Sequence, residues 1–125
     1  MMVGTVSAGG LEAMLTVTVL DLSGSREAHV DVILDTGFTG HLTLRPETVE
    51  SLALPVIGST ESILADGSTI VEDFCLAQVI WHGTPRSVRA LIVDAVPLLG
   101  MSLLRGGELR IEARAGGEVF IRPLA

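Results

Sequence analysis

The run Val32-Ile33-Leu34 delivers a single carboxylate, Asp35, into a tight Thr36-Gly37 turn, and no other stretch constrains the fold as much. Apolar residues from Ala28 to Leu34 read as a central strand that ends at Asp35. By itself the tripeptide proves little, since any three residues recur by accident in roughly one chain in tens of this length. Its plainest reading is a strand end, with Gly37 supplying a positive φ. That reading leaves unexplained a second element downstream, Val96-Pro97-Leu98-Leu99-Gly100, where another apolar run meets a glycine.

The flanking segments are β-leaning. Leu11 to Leu20 alternates as a strand, and Asp21 to Ser25 supplies turn chemistry that makes it a hairpin with the Asp35 strand. His41 to Leu44 is a short strand candidate. Pro46 to Leu52 starts like a short helix, with Pro in the first turn and acids near the positive dipole end. Three more strands are expected around Val56 to Ala65, Ser68 to Trp81 and Ser87 to Val93. Asp66-Gly67 separates the first two, and a His82-Gly83-Thr84-Pro85 turn separates the second and third. Asp-Gly between alternating residues is a strong hairpin signal, placing a tip at Asp66 and Gly67. Met101 to Arg105 predicts one or two helical turns stopped by Gly106-Gly107. Leu109 to Glu112 and Val119 to Ile121 predict a terminal hairpin through Ala115-Gly116-Gly117. The two halves read as loose copies, each an apolar strand, a motif-bearing turn and a short helix. No linker or low-complexity tract interrupts them.

Length and composition set the bounds. The 125 residues suit one domain, 1-125, and leave no room for two fused lobes. Hydrophobic residues make up 48% against 18% charged, an apolar surplus that predicts a buried subunit interface. Net charge is -7, from 15 acidic and 8 basic side chains with no basic cluster, which argues against nucleic acid and anionic membranes as partners. One cysteine, Cys75, excludes an internal disulfide, and no Cys/His pair has zinc spacing. That cysteine usage makes a reducing cytoplasm the simplest compartment, and the start, Met1 to Ser7, lacks the basic n-region of a signal peptide and an apolar run of membrane-spanning length, so a soluble protein is expected.

The ordered pair of motifs, Asp35-Thr36-Gly37 followed by Leu98-Leu99-Gly100 with a hairpin between, resembles the retropepsin-like (clan AA) aspartic proteases over most of the chain. It implies an all-β, closed β-barrel acid-protease fold with one or two short helices and one lobe per chain. Retroviral members place acids shortly after the first motif and an Arg after the later glycine, where this chain has Thr39, Gly40 and Met101. The resemblance is therefore to the wider family, and to its bacterial single-domain members. Asp35 would be the catalytic acid, with Thr36 bonding across a dimer axis and Gly37 holding the backbone close and offering its carbonyl to substrate. Leu98, Leu99 and Gly100 would cross beneath the Asp35 loop as structural support. Ala65, Asp66, Gly67 and Ser68 would form a flap over the substrate; the plainer alternative is a surface hairpin of no functional interest. Phe38 stands where most relatives have a small residue, so its ring would fill a substrate pocket, alter the pocket's specificity, or be accommodated by a widened loop.

Amide hydrolysis by this route needs two carboxylates that share a proton. Asp94 follows an apolar run but is followed by Ala95 and Val96, without the hydroxyl or glycine of the loop, and is rejected as the second acid. The resemblance therefore implies a homodimer with Asp35 of each copy meeting on a two-fold axis. It implies an aspartic endopeptidase cutting extended polypeptides, with no metal and no cofactor. The alternative is a non-catalytic dimerisation or peptide-binding module on the same fold. His29, His41 and His82 are scattered without a triad or metal pattern. Cys75 reads as a buried small hydrophobe, and Trp81 as core or interface.

Overall fold

The computed structural model describes residues 1–125. In chain order it comprises β1 (Met2–Val6), β2 (Ala13–Leu20), β3 (Glu27–Leu34), β4 (Leu42–Leu44), α1 (Pro46–Ser51), β5 (Val56–Ile63) and β6 (Thr69–Trp81). β7 (Thr84–Ile92), β8 (Leu98–Leu99), α2 (Met101–Leu104), β9 (Gly107–Ile111) and β10 (Glu118–Pro123) follow. The expected all-β architecture with two short helices is what the chain adopts.

Six strands close a ring. β6 pairs with β7, β7 with β4, β4 with β8, β8 with β3 and β3 with β2. β2 then returns to β6, with Val19 opposite Val79 and Leu20 opposite Gln78. Outside the ring, β5 extends the sheet beyond β6, while β1, β10 and β9 extend it beyond β2. Strand alternation fills the barrel. Leu15, Val17 and Val19 of β2 meet Val30 and Val32 of β3, Cys75, Ala77 and Val79 of β6, and Val88 and Ala90 of β7 in one buried cluster. Trp81 belongs to it, and burial pushes the Cys75 thiol above its ordinary pKa, as a packed hydrophobe requires.

Turn chemistry sets the hairpins. His82 and Gly83 both have positive φ, 51° and 79°, and Trp81 pairs directly with Thr84. Two left-handed central residues make the two-residue turn whose twist matches its strands. The turn is therefore shorter than the expected His82 to Pro85, and β7 begins at Thr84. Pro85 is tolerated there because β4 reaches only Ala90 to Ile92, leaving the far side of Pro85 unpaired. At the β5–β6 tip the Gly67 amide donates to the Leu64 carbonyl and Leu64 N–H to Ser68 O, with Gly67 at φ 85°. Asp66 and Gly67 are the tip residues, but as the end of a turn closed by a left-handed glycine.

β1 is the element with no counterpart among the expected strands. It pairs with β10 along Met2 to Thr5 and reaches β2 only at Thr5 and Val6. Gly4 is what allows the crossing, since a Cβ there would strike the Met14 carbonyl. The expected duplication also holds only loosely. α2 follows Gly100 directly, whereas α1 begins only after β4.

α1 ends in a Schellman arrangement: Leu54 N–H donates to Val49 O and Ala53 N–H to Glu50 O, with Val49 and Leu54 both buried. Ala53 holds the left-handed position at φ 50°, where a Cβ is disfavoured. Ala53→Gly is expected to raise stability by about 0.5–1 kcal/mol, read as a higher urea midpoint with an unchanged m-value.

Candidate active site

Asp35 is placed by two neighbouring strands. β8 runs parallel to β3, with Leu98 beside Ile33 and Leu99 beside Leu34. Ile33 N–H donates to Pro97 O and Asp35 N–H to Leu99 O, both at 2.9 Å, so the backbone of the acid is bonded into the barrel wall. The side chain is half-buried, and its Oδ1 accepts the Gly37 amide at 2.9 Å. Gly37 does not have positive φ, contrary to expectation. The residue instead permits close approach, because a Cβ there would lie 3.2 Å from Asp35 Oδ1.

The loop beyond Gly37 is clamped by the start of α2. Met101 N–H donates to Phe38 O, the Ser102 hydroxyl to Thr39 O, Ser102 N–H to Gly40 O and Gly100 N–H to His41 O. Four successive carbonyls thus find partners in one helical turn. The Phe38 ring is half-buried and lies against two glycines. A Cβ on Gly40 would come within 2.5 Å of the ring, and one on Gly100 within 2.6 Å of it and onto the carbonyls of Gly40 and Phe38. The ring is accommodated by these glycines, and it also forms part of the wall of a cleft.

That cleft, about 640 Å³, lies between the Gly37 to Leu42 loop and the base of the β5–β6 hairpin. The volume suits a segment of ligand. Its other walls are Ser59, Thr60 and Ser62 of β5, Phe74 of β6, and Arg89 and Leu91 of β7, with the Ser59 hydroxyl donating to Asp73 Oδ1 at 2.9 Å. Asp35 and Thr36 lie outside this lining, with Thr36 exposed at the loop tip. Ala65, Asp66, Gly67 and Ser68 are exposed at the hairpin tip and do not line the cleft. The Ser68 hydroxyl and amide both donate to Asp66 Oδ1 and hold its carboxyl below the ordinary range.

With this geometry in view, the chain is similar to the protease of EIAV, solved in complex with the inhibitor HBY-793. The TM-score is 0.52 at 22% identity, covering 76% of this chain and 88% of that one. The chain has the retropepsin-like fold. No protein-family model and no curated protein matches its sequence.

Within the retropepsin-like frame, several residues of the site carried no signal in the sequence. Thr43 is a buried hydroxyl, and its Oγ1 accepts the Leu98 amide at 2.8 Å. It thereby satisfies a donor of the two-residue strand β8 that supports Asp35. In sequence it is only the middle of Leu42-Thr43-Leu44. Ser102, Phe74 and Arg89 likewise gain their positions from partners distant in the chain. His41 lines the cleft, and its pKa is held below the ordinary value by burial first and by the Arg86 charge second. No helix is long and apolar enough to cross a membrane.

Two tests follow from this geometry. Thr43→Val keeps the shape but strands the Leu98 amide, and is expected to cost about 1–3 kcal/mol in chemical denaturation. His41 has a folded pKa below its unfolded value, so the unfolded chain binds more protons as pH falls through about 6.5. The stability contribution is therefore complete above that pH and lost below it. His41→Gln is expected to flatten the fall in Tm between pH 7 and 5 relative to the wild type.

Proposed function

We propose that two copies of this chain meet on a two-fold axis and that their Asp35 carboxylates form the dyad of an aspartic-type endopeptidase. The observation that carries this reading is the seating of Asp35 on the retropepsin-like frame. Its backbone is bonded to Leu99, its carboxylate is held by the Gly37 amide, and the side chain is neither buried in the barrel nor tied to a cation. Two such carboxylates brought together repel unless they share a proton. In the shared state one is an acid and the other a base.

The ionised carboxylate takes a proton from a water molecule while the protonated one donates to the carbonyl oxygen of the scissile amide. Water oxygen bonds to the carbonyl carbon and gives a tetrahedral diol. A proton then passes to the amide nitrogen, the C–N bond breaks, and acid and amine leave with the dyad again holding one proton. Nothing in this route calls for a metal or organic cofactor. Thr36 would bond across the axis and hold the two loops together, and Gly37 would offer its carbonyl to the peptide. Leu98, Leu99 and Gly100 carry no chemistry and would keep the loop in place. The tip Ala65 to Ser68 would close over an extended polypeptide and exclude water, adding strand-like backbone bonds. Phe38 would bound the substrate through its side of the cleft. Each copy would act as a single domain in the cytoplasm.

Asp35→Asn is nearly isosteric and removes the acid. Cleavage of a diverse peptide library between pH 3 and 8 is expected to fall by at least about a thousandfold, with the dimer retained in sedimentation. A wild-type protein that is a folded dimer and cuts nothing at any pH would instead identify a peptide-binding module.

A further inference from the structure

The cleft beside the Asp35 loop has a chemistry at odds with the rest of the molecule. The chain carries 15 acidic residues against 8 basic ones, yet no carboxylate lines this cleft, and its charged wall residue is Arg89. Arg89 forms no ion pair, a state it shares with Arg26, Arg86, Arg105 and Arg110, and it is the arginine among these that lines the cleft. Its guanidinium lies over the Phe74 ring, 4.9 Å from the centroid. The end of the Phe74 ring in turn reaches over β5 because position 58 is glycine, where a Cβ would come 2.7 Å from the ring.

Strand register explains the stack. Phe74 pairs with Leu91 and Gly58, and Leu76 with Arg89, so all five share one face of the sheet. Glu72 shares that face further along the hairpin, but it lies outside the cleft lining and makes no ion pair with Arg89. Stacking on an aromatic face orients a guanidinium without neutralising it, leaving its N–H groups free for a ligand. Thr60 and Ser62, on the same sheet face further along β5, add neutral hydroxyl partners, and the Arg86 charge felt at His41 adds to the positive field.

We propose that Arg89 is a specificity-determining residue that selects an acidic side chain in the bound polypeptide. The inference rests on the endopeptidase reading only in taking a polypeptide as the ligand. A carboxylate matches the planar fork of a guanidinium with two parallel bonds. Elsewhere the net charge of -7 repels an acidic peptide, so the stacked arginine marks where one is admitted. Arg89 is solvent-exposed, so the selectivity is moderate, on the order of tenfold, and weakens as salt rises.

The test uses the Asp35→Asn protein, so that bound peptides stay whole, and a randomised octapeptide library whose retained members are sequenced by mass spectrometry. About tenfold enrichment of Asp or Glu over Asn or Gln is expected at one position at low salt. It should vanish in Arg89→Gln, persist in Arg89→Lys, and turn to a preference for Lys or Arg in Arg89→Glu. Circular dichroism of each variant confirms that this surface substitution leaves the fold intact. No enrichment of acid, or enrichment that survives in Arg89→Gln, would overturn the proposal. Cleavage by the wild type is scored separately. Acid selection without cleavage removes the endopeptidase reading alone, and cleavage without acid selection removes this inference alone.

Discussion

Two parallel residue pairs, Ile33 beside Leu98 and Leu34 beside Leu99, carry the arrangement on which everything else depends. β8 has only these two residues, and a strand so short has no stability of its own. It exists because β3 accepts it on one side, Leu42 of β4 meets Leu99 on the other, and Thr43 takes the Leu98 amide. Without β8 the ring of strands would not close between β3 and β4. The Asp35 amide would also lose its acceptor, and the acid would sit at the end of a frayed strand.

The same crossing brings α2 against the Asp35 loop. Once Leu99 is seated, Gly100 and the first residues of α2 must lie beneath residues 38–41, and their N–H groups meet that loop's carbonyls. Backbone contact this close leaves no room for a Cβ at position 100. Phe38 is the unusual residue of the loop, and the glycines at 40 and 100 are what make its ring compatible with this clamp. The large ring after the Asp-Thr-Gly turn is therefore accommodated locally, by glycines at the positions it lies against.

The parts of the fold legible in the sequence were those governed by short-range chemistry. Asp66-Gly67 announced a hairpin because a glycine must take the left-handed turn position, and Pro46 announced a helix start because its fixed φ suits the first turn. Asp35 stood out as a carboxylate at the end of an apolar run. Other features had no local signature. β1 is a short strand containing Gly4, and it is held by β10 at the far end of the chain. Thr43 looks like any β-strand threonine until Leu98 arrives beside it. The stack of Gly58, Phe74 and Arg89 draws on three strands, and nothing in any one of them indicates it.

By itself the amino-acid order determined the strands, their turns and the presence of one carboxylate in a turn that can present it. These follow from periodicity and from the backbone preferences of single residues, which act over a few positions. Only the tertiary structure decided that β2 returns to β6 to close the barrel, that Gly37 serves close approach and not positive φ, and that Arg89 is stacked and unpaired in the cleft. Those outcomes depend on which distant residues share a face or an edge. Within a hairpin the turn fixes the register, but which strands distant in the chain come to lie side by side is settled by the packing of the whole core and not by any one segment.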